Sequence, residues 1–403
     1  MSGRLLRLVC TVTIATSAAL SPALTPAPVP AAAAEPAEPA EPAEPGERPI
    51  AQLLTDLQRL YRQAEQATET YNATEEKLNN QRAEVEKLNR RLARARLSLH
   101  DSRSAAARLA RQQYQSSTEI SPYVRLLLAR DPQHALDQAH VIRQLSKRRA
   151  ATVHRLTGSE KRTDRLARAA RKALDGQLAL AQRQKKDRDT VRQRLEDVEE
   201  LLASLSAEQL AELAELEKDS EAEAQEELVA SGALGSSAAR PPSRQGEAAL
   251  RYAVEQIGKP YEWGAEGPDT YDCSGLTSEA WGYAGQLIPR TSQEQWDQLP
   301  RIPLSELRPG DLVVYFPEAT HVALYLGDGK VIHAPRPGAK VKVSPLAANP
   351  ILGAVRPDPS GEPLRQYTPP KLPPGATDGS DEGYEGYEGE APSVAGDPAT
   401  DAR

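Results

Sequence analysis

From Ile50 to Ser121 the chain carries no proline, and a mostly apolar residue returns at every seventh position. Leu57, Ala64, Tyr71, Leu78, Val85, Leu92 and Leu99 share one place in the repeat. Leu60, Ala67, Thr74, Gln81, Leu88 and Ala95 lie three residues further on. Such heptads, with charges between them, indicate a coiled coil. A helix with that stripe cannot be the core of a globule, and needs a second helix laid along it. Pro122 and Pro132 end the run and bracket a short apolar segment, Tyr123 to Leu128. A second helical run continues to about Val229. Its seam is weaker: Leu174, Ala181, Leu195 and Leu202 at one position, Ala170, Val191, Val198 and Leu205 at the other. Gln177, Gln184 and Arg188 also fall in it, and Gly158 and Gly176 lower local helix stability. The expectation is an antiparallel hairpin over residues 50–229. Its arms are about 100 Å long at 1.5 Å per residue, and its polar interface suits rearrangement better than permanence. His100, His134, His140 and His154 are scattered along it without metal-ligand spacing, so they read as surface residues.

Composition limits the rest. The 403 residues include 33 Pro, one Phe and one Met, and 4% are aromatic, too little bulk for a large core throughout. The net charge of -7 gives no reason to expect a nucleic-acid partner. Residues 1–34 read as a secretory signal: Arg4 and Arg7, an apolar run from Leu8 to Leu20, then small residues up to Ala34. Residues 35–49, with their Ala-Glu-Pro repeats, read as a stiff spacer. A Gly/Pro/Ser-rich linker is expected at 230–245 and a compact domain at 246–357, which holds all three Trp. The acidic tail, 358–403, is expected to be disordered. Removal of the signal takes Cys10 with it and leaves Cys273 as the one cysteine of the exported chain. A lone thiol outside the cell makes no internal disulfide, so it is a buried apolar residue, a cross-linking site or a nucleophile.

Cys273 lies in Asp272-Cys273-Ser274-Gly275, ahead of a helical pattern. Asp272 suits a helix N-cap, which places the thiol in the first turn, where the dipole and free N–H groups favour a thiolate. Downstream, His321 opens one strand-like run and His333 nearly closes the next, across the turn Gly327-Asp328-Gly329. A hairpin brings those ends together, so one histidine can act as base while the other orients it. The same residues also fit a small core cysteine, a strand-end histidine and a satisfied core histidine.

The domain resembles the NlpC family of papain-like cell-wall cysteine peptidases. The matching pieces are Gly258-Lys259-Pro260-Tyr261-Glu262-Trp263-Gly264, Asp272-Cys273-Ser274-Gly275-Leu276, Pro289-Arg290-Thr291-Ser292, Pro309-Gly310-Asp311-Leu312-Val313, His321-Val322 through Tyr325-Leu326-Gly327, and Ile332-His333-Ala334-Pro335. The resemblance implies an α+β papain-like domain, helices packed on a small antiparallel sheet, behind the coiled-coil hairpin. It implies Cys273 as nucleophile, His321 as base and His333 as its orienting partner. Tyr261 would support the oxyanion and the cleft. Asp272, Ser274, Ser278 and Arg290 would bind substrate, although a structural salt bridge fits Arg290 as well. No metal or cofactor is implied. Ala265 and Ala323 stand where the family commonly has glycine. The implied activity is hydrolysis of peptidoglycan stem peptides at a D-glutamyl-γ-diamino acid bond, in cell-wall remodelling or cell separation, by a secreted, wall-associated protein. The implied partner of the coiled coil is an FtsE–FtsX-type transporter, with the hairpin controlling access to the cleft. Two further readings are an amidase or acyltransferase with the same triad, and a non-catalytic coiled-coil scaffold of the wall.

Overall fold

The computed structural model describes residues 48–115, 122–128, 131–235 and 240–376. The expected signal, Cys10, nearly all of the Ala-Glu-Pro spacer and the tail beyond 376 lie outside the described residues. Helix α1 (Ile50–Gln115) and helix α3 (Pro132–Ala203) run antiparallel, joined through the short α2 (Pro122–Leu127). Asp131 caps α3 by accepting from the His134 N–H. The expected seam of α1 holds: Leu57, Ala64, Leu78, Val85, Leu88, Leu92 and Ala95 are buried. Leu174 on α3 does not join it. That residue is 46% exposed, and its neighbour Ala173 faces α1 instead. The Ala173 methyl is small enough for Gln81 Nε2 to reach its carbonyl at 2.7 Å.

The helical region is a hairpin plus a third helix, rather than one hairpin to residue 229. The chain leaves α3 at Ala203. Ser206 and Gln209 then form a reciprocal capping box that starts α4 (Ala207–Ala230). Leu213 of α4 packs with Leu53, Leu57, Tyr61, Val198 and Leu202, which makes a three-helix base. The expected linker is partly packed as well: Leu234 joins Leu228 of α4 against the sheet domain.

That domain begins with α5 (Arg244–Glu255), followed by α6 (Cys273–Tyr283) and α7 (Ser292–Gln298). Six strands follow: β1 (Arg301–Ile302), β2 (Leu312–Tyr315), β3 (His321–Gly327), β4 (Lys330–His333), β5 (Lys342–Pro345) and β6 (Ile351–Val355). Their order is β1-β6-β2-β3-β4-β5, every pair antiparallel. Leu312, Val314, Val322, Leu324 and Ile332 point toward α5 and α6, around the fully buried Trp281. The alternate residues, Val313, Tyr315, Ala323 and Val331, face the end of α4. Both faces of the sheet are therefore covered, which explains why β2 and β3 read as continuous apolar runs.

The domain does not end at residue 357. Asp358 is 4% exposed and pairs with the equally buried Arg308 at 2.9 Å. Leu364 N–H donates to the Pro242 carbonyl, and the Ala376 carbonyl accepts from Val343 N–H at the sheet edge. A Pro/Gly-rich segment has little structure of its own. This one is held because it satisfies a buried cation and an edge strand on the domain.

Candidate active site

Asp272 caps α6, its carboxylate accepting from Gly275 N–H at 2.6 Å. Gly275 is required there, because a Cβ would land on the Ala265 carbonyl oxygen. The first turn of α6 thus presses against the 262–266 loop and holds Cys273 in place. The β3–β4 hairpin delivers the histidines together: His321 Nε2 and His333 Nδ1 are 2.8 Å apart. His333 Nε2 then meets Ser344 Oγ on β5 at 2.9 Å. His321, His333 and Ser344 form a buried polar line running away from the thiol domain's cleft wall. Tyr261 is buried near enough to Cys273 that the thiolate charge would raise its phenol; burial raises it most, so it stays a protonated donor.

The cleft over these groups is filled by α1. Glu69 Oε1 accepts from Ser274 Oγ at 2.7 Å and lies 3.6 Å from Cys273 Sγ. Its other oxygen accepts from Ser292 N–H at 3.1 Å. One turn back, Glu65 Oε1 lies 3.2 Å from His321 Nδ1, an ion-pair distance whose angle does not make a hydrogen bond. One turn forward, Asn72 Nδ2 donates to Asp272 at 3.0 Å, and Tyr71 meets Trp263 edge to face at 5.1 Å. Glu65, Thr68, Glu69 and Asn72 are all under a tenth exposed. The spacing of three and four is that of one helix face, so a single stripe of α1 runs the length of the cleft.

This changes the chemistry of the thiol. The helix N-terminus was expected to make Cys273 acidic, yet its pKa is held well above the ordinary thiol range. Burial is the largest cause, followed by the charges of Glu69, Asp272 and Glu65. These together outweigh the dipole of an eleven-residue helix. Glu69 itself is raised to about 8, by burial first and then by Asp272. His333 is held well below the usual imidazole range by burial, then by His321, Lys342 and Arg336, so it is neutral.

Of the residues expected to bind substrate, Asp272, Ser274 and Arg290 are gathered beside Cys273. Arg290 holds both oxygens of Asp272, at 3.0 and 2.7 Å, and donates to Ser274 Oγ at 2.9 Å. In this state it is a structural salt bridge. Ser278, one turn after Ser274 on α6, donates its hydroxyl to the Gly275 carbonyl. Ser344, Glu65, Glu69 and Asn72 were not anticipated. Ser344 shares its strand phase with Lys342 on β5, where both Val343 and Ser344 are buried, so alternation alone does not single it out. The three α1 residues look like solvated positions of a heptad. Among the described residues no His/Cys/Asp/Glu group is arranged to hold a metal ion, and no helix is long and apolar enough to cross a membrane.

Comparison with known proteins places this geometry in context. Residues 258–353 match the NlpC/P60 family. Over 118 residues, 29% of this chain, the sequence is 44% identical to a probable endopeptidase of Corynebacterium glutamicum, of which it covers 56%. Over 110 residues, 27% of this chain, it is 37% identical to a probable endopeptidase of Mycobacterium tuberculosis, of which it covers 29%. The chain thus spans little more than half of the one relative and under a third of the other. A solved NlpC/p60 domain, that of the peptidoglycan hydrolase SagA, is 35% identical over 28% of this chain and 97% of its own, with a TM-score of 0.26.

Proposed function

With residues 258–353 an NlpC/P60 domain, we propose that this chain is a secreted, wall-associated cysteine endopeptidase of peptidoglycan. It cleaves stem peptides at the amide between the γ-carboxyl of D-glutamate and a diamino acid. The observation that carries this reading is the buried line of His321, His333 and Ser344, with the backbone N–H of Val322, next to His321, directed at the Cys273 thiol of a capped helix start. His321 takes the Cys273 proton as sulfur attacks the carbonyl carbon, and the carbonyl π pair moves to oxygen. Collapse of that intermediate breaks the C–N bond, and His321 returns its proton to the leaving amine. Water, deprotonated by the same imidazole, then releases the thioester as a carboxylic acid and restores the thiol. His333, neutral and fixed by Ser344, holds the His321 ring in the orientation this requires. Tyr261 can donate to the developing oxyanion. Mass spectrometry of defined muropeptides digested by wild type and Cys273→Ala tests the reading. Wild type is expected to split the γ-glutamyl bond and the variant to leave it whole; cleavage at another bond, or cleavage that survives the substitution, would reject it.

The same reading makes α1 an inhibitory segment. Glu65 and Glu69 fill the place of the scissile group, so turnover requires α1 to leave. The hairpin end carries Leu127 at 84% and Leu128 at 67% exposure, an apolar tip suited to a protein partner. The extracellular part of an FtsE–FtsX-type transporter is the proposed partner. Its addition to the full chain is expected to raise muropeptide hydrolysis, and no change at saturating partner would remove this element.

A further inference from the structure

Beside the inhibitory stripe of α1, a cavity of about 640 Å³ remains between α1, α4 and the sheet domain. His333 and Ser344 line it, together with Arg336, Lys342, Glu217 and Glu221. It therefore opens off the histidine side of the cleft. In the reaction proposed above, His321 gives its proton to the leaving amine. The part of the substrate that departs must then lie on that side, and the acyl part on the side of Cys273 and Asp272.

Arg336 follows β4 on a turn closed by Ala339 N–H donating to the Arg336 carbonyl, so its position belongs to the sheet domain. Its two terminal nitrogens donate to both oxygens of Glu217, at 2.7 and 3.0 Å. Both side chains are close to seven-eighths buried. The guanidinium also lies over the Tyr61 ring, 4.9 Å from its centre. A planar cation gripping a carboxylate through two parallel bonds in a partly dry setting is a seat of defined shape. Lys342 is opposite His333 in the β4–β5 register and adds a second cation to the same wall. Glu217 and Tyr61 belong to the helical region, whereas Arg336 and Lys342 belong to the domain that would do the chemistry.

We propose that Arg336, seconded by Lys342, is the receptor for a carboxylate on the leaving half of the substrate, and that Glu217 occupies this seat while the enzyme is closed. The proposal rests on the endopeptidase reading and narrows its substrates to stem peptides whose diamino acid portion carries a free carboxylate. The α4 contact is then a second substrate mimic, on the opposite side of the reacting bond from Glu69.

Binding can be measured without turnover. Full-length chain carrying Cys273→Ala, Glu217→Ala and Glu221→Ala, which removes both α4 carboxylates lining the cavity, is titrated calorimetrically with meso-diaminopimelyl-D-alanine, with both carboxylates free, with each amidated singly and with both amidated. The cavity persists beside α1, so this fragment does not need α1 to leave. The free acid is expected to bind about tenfold more tightly than the doubly amidated form, the worth of one charge-assisted bidentate contact. The singly amidated forms identify which carboxylate is read. Adding Arg336→Ala should abolish the preference, and Arg336→Lys should keep part of it. Equal binding of acid and diamide, or no binding of the acid, overturns the proposal, as does a preference that survives Arg336→Ala. Failure of the endopeptidase reading shows separately, as absence of stem-peptide cleavage by the wild-type chain.

Discussion

Glu69 Oε1 lies 3.6 Å from Cys273 Sγ while its partner oxygen accepts from the backbone of Ser292. One carboxyl from the coiled-coil region thus blocks the thiol sterically and, when ionised, opposes its ionisation. Replacing Glu65 and Glu69 together by Ala should loosen α1 and expose Cys273. Each lost contact is that of a buried charged or hydrogen-bonded group, so alkylation of Cys273 by iodoacetamide is expected to accelerate roughly tenfold or more. An unchanged labelling rate would mean that α1 does not guard the thiol.

The same carboxyl makes closure depend on pH. Glu69 is raised to about 8 in the closed state, against an ordinary value of 4.5. The closed form therefore holds a proton that the open form gives up. Closure is firmest below the ordinary value and weakens as pH rises through about 8. The groups facing Glu69 are Tyr261 ahead of α6, Asp272, Cys273 and Ser274 at α6, and Arg290 and Ser292 before and at the start of α7. Asp272 and Arg290 largely neutralise each other, which leaves Glu69 as the group that gains charge. Labelling rates of wild type divided by those of Glu69→Gln, taken at each pH, cancel the thiol's own titration. That ratio should climb between roughly pH 5 and pH 8; a flat ratio would contradict the assignment.

Ser344 tests the inner end of the histidine line. Its hydroxyl fixes the His333 ring, which in turn meets His321. Ser344→Ala should lower kcat by about tenfold with little change in KM. His333→Ala should lower it by about a hundredfold or more, the range for loss of a group that orients a general base. Steady-state kinetics on a purified muropeptide decide this. A KM effect without a kcat effect would instead make Ser344 a packing residue.

The segment after residue 357 is held by the buried Arg308–Asp358 pair, whose side chains are 7% and 3% exposed. Removing one partner strands the other. Asp358→Ala should destabilise the sheet domain by about 3–5 kcal/mol and lower its thermal midpoint by roughly 10 °C. A calorimetric scan of the full chain that shows no shift would make the pair a surface ornament of the fold.

The parts of this molecule that could be read from sequence are those governed by local rules. The Asp272 cap, the hairpin that joins His321 to His333 and the α1 seam follow from residue type and spacing. What could not be read depends on partners distant in the chain. Glu65, Glu69 and Asn72 occupy heptad positions that face water in an isolated coiled coil, and only docking against residues some two hundred positions later makes them interior. The raised pKa of Cys273 is hidden for the same reason: a helix dipole is visible in sequence, whereas the burial that raises the thiol most, and the Glu69 and Glu65 charges that add to it, come with a distant helix. The end of the domain was placed too early because Asp358 to Ala376 has no apolar period. Its order comes from groups it satisfies elsewhere, such as Arg308 and the Val343 N–H.

Glu65 and Glu69 are four residues apart on α1, about 6 Å of rise at 1.5 Å per residue and roughly 40° beyond a full turn. A screw-like shift of α1 by four residues along its own axis would therefore bring Glu65 close to the position Glu69 now fills, and the thiol would face a carboxylate again. Axial slippage of that kind would leave the cleft blocked. Under the inhibitory role proposed for α1, opening then requires the helix to roll or lift away, and an activating partner at the far end of the hairpin would have to act by torque or leverage rather than by a push.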